Sequence, residues 1–174
     1  APYWTDAVRQ EVSALPVDHT SGANDEASEG EVHRSLEAAS TQALLQQAPK
    51  AYRTRLVEVL LASLTEAFGE WTGERLLMVD FEGHGREDLF DDVALSRTAG
   101  WFATLYPVLV DLRDADDEAS VLKTAKEQVR GIPGNGLGYG LLRDYGPESV
   151  RRKLGRQLSA QVLFNHLGQM DTGA

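Results

Sequence analysis

The chain has 174 residues, a net charge of −10, 42% hydrophobic and 25% charged residues, and no cysteine. This length supports one core and one domain or lobe, and the acidity has the wrong sign for a nucleic-acid footprint or for docking on an anionic membrane. Without cysteine there is no disulfide, thiol nucleophile or zinc–thiolate site, and no apolar run approaches the roughly 18 residues of a membrane span.

No secretory signal precedes an apolar stretch, so a cytoplasmic protein is expected. The start at Ala1, without methionine, suggests a fragment or a processed piece. Ala1 to Leu15 reads as a short helix, with Val8 and Val12 four apart and Leu15 three further on. Pro16 ends it. Residues 18–31, DHTSGANDEASEGE, are polar, acidic and rich in Gly and Ser, as in a solvated loop. His19 and His33 lie in or beside it with no other ligand at metal spacing, and are read as surface histidines.

Val32 to Leu36 is a candidate strand. Ser40 and Thr41 open a short helix that Pro49 closes. From Tyr52 to Trp71 the period is helical. Leu56, Leu60 and Leu64 recur at i, i+4 and i+8, beside a row of Val57, Leu61, Leu64, Phe68 and Trp71. Trp71 is therefore expected in the core. Arg53, Arg55, Glu58, Glu66 and Glu70 take up much of the remaining surface. Gly73 ends this helix.

Leu76 to Phe81 is a short apolar run that fits a strand buried on both faces. It delivers Glu82-Gly83-His84-Gly85-Arg86-Glu87, which sets carboxylates, an imidazole and a guanidinium on a backbone freed by two glycines. Catalytic groups often sit on loops at strand ends. Chemistry alone points to His84 as a base, since histidine is the side chain that titrates nearest neutrality. Glu82 and Arg86 are four apart and alternatively form an ion pair. Asp88, Asp91 and Asp92 read as solvated loop. Ser96 and Arg97 read as tethers, Ser96 lacking the adjacent base a nucleophile needs.

Within 101–112, Tyr106, Val108, Val110 and Leu112 alternate on one side of a predicted strand. Leu109 on the other side implies that both faces are at least partly covered. Asp114, Asp116 and Glu118 superficially suggest a calcium loop but lack its glycine and ligand ladder. They open a helix over 117–130, where carboxylates suit the N-terminus. Its buried face is Val121, Leu122, Ala125 and Val129, and Gly131 and Pro133 end it. Gly134, Gly136, Gly138 and Gly140 follow a helix rather than a strand, the wrong context for a dinucleotide loop. Leu141 and Leu142 continue that loop. Arg151, Arg152, Lys153 and Arg156 form the one basic cluster, either a solvated helix face or a docking face for an acidic carrier protein. Gln161 to Phe164 is a last predicted strand, delivering Asn165 and His166. There are no internal repeats.

Several blocks, in one order, carry a family resemblance. They are Glu-Gly-His-Gly-Arg-Glu (82–87), Leu-Ser-Arg-Thr-Ala-Gly-Trp-Phe (95–102) with Tyr-Pro-Val (106–108), Pro-Gly-Asn-Gly-Leu-Gly-Tyr-Gly (133–140) and Phe-Asn-His-Leu-Gly (164–168). Together they resemble the epimerization domains of nonribosomal peptide synthetases, members of the condensation-domain superfamily. The resemblance covers nearly the whole chain and is weakest at residues 21–35.

It implies an α/β, chloramphenicol-acetyltransferase-like fold with a mixed sheet packed by helices. Residues 1–30 would be the tail of a first lobe and the inter-lobe linker, and 31–174 the C-terminal lobe. The implied reaction inverts the α-carbon of an aminoacyl or peptidyl thioester. A peptidyl carrier protein presents that substrate on phosphopantetheine, and no cofactor binds directly. A general base must come within reach of the carbon, and donors must meet the enolate oxygen as it gains charge. The resemblance casts Glu82 as base or acid on one face, with His84 in a local structural part. Arg86 would hold Glu82 or the pocket charge. Asn165 and His166 would line the site, and the glycine block would shape the lobe interface.

Two departures stand out. The family usually has tyrosine where this chain has His166. Its first lobe also carries a His-His-x-x-x-Asp motif, and no adjacent histidine pair exists here. Alone the chain is expected to hold half a site and to need that N-terminal lobe. Two rivals remain. One is a non-catalytic recruitment domain that docks a cytochrome P450, mildly favoured by His166. The other is a peptide-bond-forming condensation domain, not expected to carry the full glutamate block.

Overall fold

The computed structural model describes residues 1–23, 25–87, 95 and 97–168. Strand β1 (Leu76–Gly83) lies between β2 (Thr104–Asp111) and β3 (Leu163–Asn165). It pairs antiparallel with β2, Leu76 opposite Asp111 and Gly83 opposite Thr104, and parallel with β3. The helices are α1 (Ala38–Tyr52), α2 (Leu56–Thr72), α3 (Glu118–Arg130), α4 (Tyr139–Tyr145) and α5 (Glu148–Leu154).

The period of two along the strands divides the core. Leu77, Val79, Tyr106, Val108, Val110 and Leu112 enter the main cluster with Leu61 and Ala62 of α2 and Val121, Ala125 and Val129 of α3. Leu76, Met78 and Leu109 form a smaller cluster on the other face, closed by Val8, Val12 and Ala160. The expected burial on both faces is therefore found. Helix α3 also follows expectation, with Asp117 as its N-cap accepting from the Ser120 backbone N–H at 2.7 Å.

Other segments differ from expectation. Residues 1–15 form two short 3₁₀ turns, Pro2–Thr5 and Ala7–Gln10, instead of one helix. Asp6 is extended between them and its carboxylate accepts from Val8 N at 3.2 Å. Tertiary contacts explain the break. Trp4 is buried in the main cluster, and buried Arg9 reaches the Pro107 carbonyl at 3.2 Å. Gln157 donates to the Trp4 carbonyl, and Gln161 accepts from Leu15 N, both at 2.7 Å.

Val32 to Leu36 is not a strand. The segment is exposed, and a short apolar stretch does not become a strand without a neighbour to satisfy its backbone. Helix α1 runs through Pro49 and ends only where Arg53 turns left-handed, at φ 50°. Proline removes one N–H bond, and within the last turn that loss does not stop the helix.

Helix α2 starts at Leu56, after Arg55 has capped it, and Gly73 ends it at φ 79° as expected. Its buried stripe is Glu58, Val59, Leu61, Ala62 and Thr65. Trp71 falls to the side of that stripe and is 59% exposed, and it meets the Phe68 ring edge-on at 5.7 Å. The expectation of a core tryptophan is overturned. Glu58, expected on the surface, is 0% exposed. Helix α4 replaces the loop expected at Leu141 and Leu142, because the Tyr139 ring packs at a tilt against Trp4, 5.0 Å between centres, and Leu142 packs on the main cluster. The last strand is shifted to Leu163–Asn165. Asp88, Asp91, Asp92 and Ser96 lie outside the described residues.

Candidate functional site

The sheet brings the two predicted halves of the site together. Residues Asp80, Phe81 and Glu82 lie opposite Leu163, Phe164 and Asn165. Phe81 and Phe164 stack at 5.7 Å and so support the register from the core side. Glu82 and Asn165 then share the opposite face. Asn165 Nδ2 donates to Glu82 Oε2 at 3.0 Å.

Beyond Glu82 the chain turns tightly. Gly85 sits at φ 65°, and a Cβ there would lie 1.6 Å from the Phe102 carbonyl oxygen. Only glycine fits. The turn aims Arg86 away from Glu82. Its Nη1 donates to the Leu95 carbonyl at 2.6 Å and Nη2 to that of Gly100 at 3.2 Å. Its guanidinium lies 4.4 Å from the centre of the Phe102 ring. Arg86 therefore ties down the segment that leads into β2, and the alternative ion pair with Glu82 is not formed.

Neither nitrogen of His84 offers a free lone pair. Nδ1 accepts from Arg86 N at 3.0 Å, which places the ring hydrogen on Nε2. Nε2 lies 3.3 Å from Glu87 Oε1. Glu87 Oε2 in turn accepts from Asn135 Nδ2 at 2.7 Å. The imidazole has no lone pair left for a substrate, which bears against His84 as a base in this arrangement.

These groups open onto one cleft of about 570 Å³, lined by Glu82, His84, Arg86, Glu87, Asn165 and His166. Val57, Phe81, Tyr106, Val108, Val129 and Ile132 make its apolar wall, and Trp101 and Leu167 contribute large exposed side chains. Burial pushes the Tyr106 phenol up to about 12, and the nearby Glu87 carboxylate adds to this. Tyr106 is thus a neutral hydroxyl near neutral pH. Two residues before Glu82, burial raises the Asp80 carboxyl above its usual range, opposed by Arg143.

Glu87, Asn135 and Tyr106 were not singled out as site residues from sequence. Asparagine between two glycines points to a left-handed turn, not to the contact that Asn135 makes with Glu87. Arg151, Arg152, Lys153 and Arg156 are exposed and do not line the Glu82 cleft. Among the described residues no three His, Asp or Glu side chains are grouped to hold a metal ion. Nor is any described helix long and apolar enough to cross a membrane.

Fold and site define an α/β protein of mixed sheet and helices, in which a parallel strand pair presents a glutamate and an asparagine at the edge of an open cleft. The condensation domain family model matches residues 1–173, and the chain belongs to that family. It is 45% identical over 171 residues to one of the linear gramicidin synthase proteins of Brevibacillus parabrevis, covering 98% of this chain and 2% of that protein. It is 38% identical to surfactin synthase subunit 1 of Bacillus subtilis, covering 97% of this chain and 5% of that protein.

Among solved structures, the epimerization domain from the third module of tyrocidine synthetase B matches with a TM-score of 0.86 and 32% identity. The match covers 97% of this chain and 39% of that one. The first condensation domain of the calcium-dependent antibiotic synthetase shares the fold, with a TM-score of 0.52 and 20% identity over 72% of this chain and 25% of that one. The chain thus spans a small part of these synthases and well under half of the epimerization domain. The condensation-superfamily fold, a mixed sheet with helices, is as the motifs implied.

Proposed function

We propose that the chain is the C-terminal lobe of a nonribosomal peptide synthetase epimerization domain. The observation that carries this is the state of Glu82. It stands at a strand end in an open cleft and is oriented by Asn165, and no cation pairs with it among the described residues. A carboxylate held by one neutral donor keeps its second oxygen for a proton. The likeness to a solved epimerization domain over almost the whole chain supports the same reading.

In this mechanism a carrier protein delivers an aminoacyl or peptidyl thioester into the cleft on its phosphopantetheine arm. Glu82 removes the α-hydrogen as a proton, and the electron pair delocalises onto the thioester oxygen as an enolate. Asn165 positions Glu82, and His166 lines the site beside it. A group from the N-terminal lobe returns a proton to the opposite face, so the chain works beside that lobe. Residues 18–31 would form the connection between lobes.

A second reading is favoured by one observation. His166 replaces the tyrosine expected of the family, which suits a recruitment domain that has lost catalysis and docks a cytochrome P450. The test is α-hydrogen washout in D₂O from a carrier-bound thioester, with the two-lobed protein beside its Glu82→Gln variant. Washout that disappears in Glu82→Gln supports epimerization with Glu82 as base. No washout from the wild type, across several substrates, transfers the assignment to the recruitment domain.

A further inference from the structure

The glycine block at 133–140 has a second consequence beyond its place in the family pattern. Gly134 and Gly136 have φ of 53° and 81°, and Asn135 between them has φ 48°. A Cβ on Gly136 would stand 2.2 Å from the Tyr106 ring, so the loop lies directly against that ring. Tyr106 faces Phe81 across β1 and β2. The loop is therefore seated on the strand pair that carries Glu82, and it delivers the Asn135 amide to Glu87 at 2.7 Å.

From Glu87 the contacts lead back toward Glu82. Glu87 faces His84 Nε2 at 3.3 Å, and His84 Nδ1 takes the Arg86 N–H at 3.0 Å. All four residues belong to the turn that follows Glu82 or close upon it. Without the Asn135 amide, Glu87 Oε2 loses that hydrogen bond, and the carboxylate facing His84 is left without the donor that fixes it.

We propose that Asn135 is a positioning residue for Glu82: acting through Glu87 and His84, it holds the turn behind the base and keeps the imidazole out of proton transfer. This rests on Glu82 being the base, as proposed above. The competing account is that asparagine is present only because it tolerates a left-handed backbone.

Three variants of the two-lobed protein separate these accounts. Asn135→Gly keeps the backbone permitted and removes the amide. Asn135→Asp also tolerates the backbone, but sets a carboxylate against Glu87. Two such carboxylates share a proton in acid and repel once both are ionised. Adding Glu87→Gln to Asn135→Asp restores the bond with donor and acceptor exchanged, while the carbonyl of the introduced glutamine still faces His84 Nε2–H.

Washout should fall about ten- to hundredfold in kcat for Asn135→Gly, and for Asn135→Asp above neutrality. KM should stay within about twofold, since the loss falls on the reacting geometry. Asn135→Asp should recover toward acid pH, and the exchanged pair should return to within about threefold of wild type. Wild-type rates in Asn135→Gly, or an exchanged pair no better than Asn135→Asp, overturn the proposal. If the wild type itself shows no washout, the Glu82 reading fails separately. The contact is then read by thermal unfolding, where Tm of Asn135→Asp should drop as pH rises and the exchanged pair should not follow it. An unchanged Tm there overturns the contact itself.

Discussion

Asn165 and Glu82, 83 residues apart in sequence, are joined by a 3.0 Å hydrogen bond across the parallel pair β1 and β3. The bond runs from a neutral amide to a carboxylate, so it fixes direction without supplying a counter-charge. Removing the amide should leave the Glu82 carboxylate in place but free to rotate. Asn165→Ala is therefore expected to lower α-hydrogen washout about a hundredfold, the scale of losing one oriented donor. Glu82→Gln should abolish it. Equal washout from wild type and Asn165→Ala would remove Asn165 from the site.

Gly85 supports a sharper structural prediction. Its φ of 65° and the 1.6 Å approach to the Phe102 carbonyl leave no room for a methyl group. Gly85→Ala must strain the backbone or push the segment before β2 away, at a cost of about 2–3 kcal/mol. Arg86 is anchored to that same segment through Leu95 and Gly100, so activity should fall with stability. A urea melt that matches wild type would mean that the turn differs from the one described.

What was legible in the sequence follows from the range of the interactions involved. Strands β1 and β2 and helix α3 announce themselves through local period and end signals, because their packing faces lie within a few residues of one another. The glutamate block was legible for the same reason, with its chemistry gathered in six consecutive residues. Asn135 was not, because its partner Glu87 lies 48 residues away and the glycines around it invite a purely conformational explanation. Glu58 was hidden more deeply. A charge on an amphipathic helix reads as surface unless one knows that a second arginine arrives from another helix. Helix α4 was masked by glycines of low helix propensity, although Tyr139 and Leu142 find aromatic and core neighbours.

The α2 stripe yields a paired prediction. Leu61 is 1% exposed and lies in the main cluster, whereas Trp71 is 59% exposed. Leu61→Ala should cost about 3 kcal/mol as a buried cavity. Trp71→Ala should cost about 1 kcal/mol or less, despite the larger side chain removed, because most of that side chain is already in water. Chemical unfolding of both variants checks the order. A reversal would place Trp71 in the core after all.

Glu58 ties together parts of the chain that lie far apart in sequence. Its carboxylate accepts from Arg55 N and from Arg55 Nε, both at 2.8 Å, and from Arg130 Nε of α3, also at 2.8 Å. Burial alone would push this carboxyl up. The hydrogen bonds from Arg130 and Arg55 outweigh burial and hold it below its ordinary value of 4.5. A carboxylate with a depressed folded-state pKa contributes stability that is fully present above its unfolded value. That contribution is lost as pH falls through the depressed one. Wild type should therefore lose stability on acidification below about pH 4.5 partly through this site. Glu58→Gln keeps the shape but removes the charge on which both arginines converge, at a cost of about 2–3 kcal/mol near neutrality. Because the variant has no proton to gain there, its stability should fall less steeply with acid, and the two curves should converge at low pH. Urea unfolding of both proteins across that range checks the sign. Parallel curves, or equal stability at neutral pH, would show that the buried carboxylate is not the charged junction of α2 and α3.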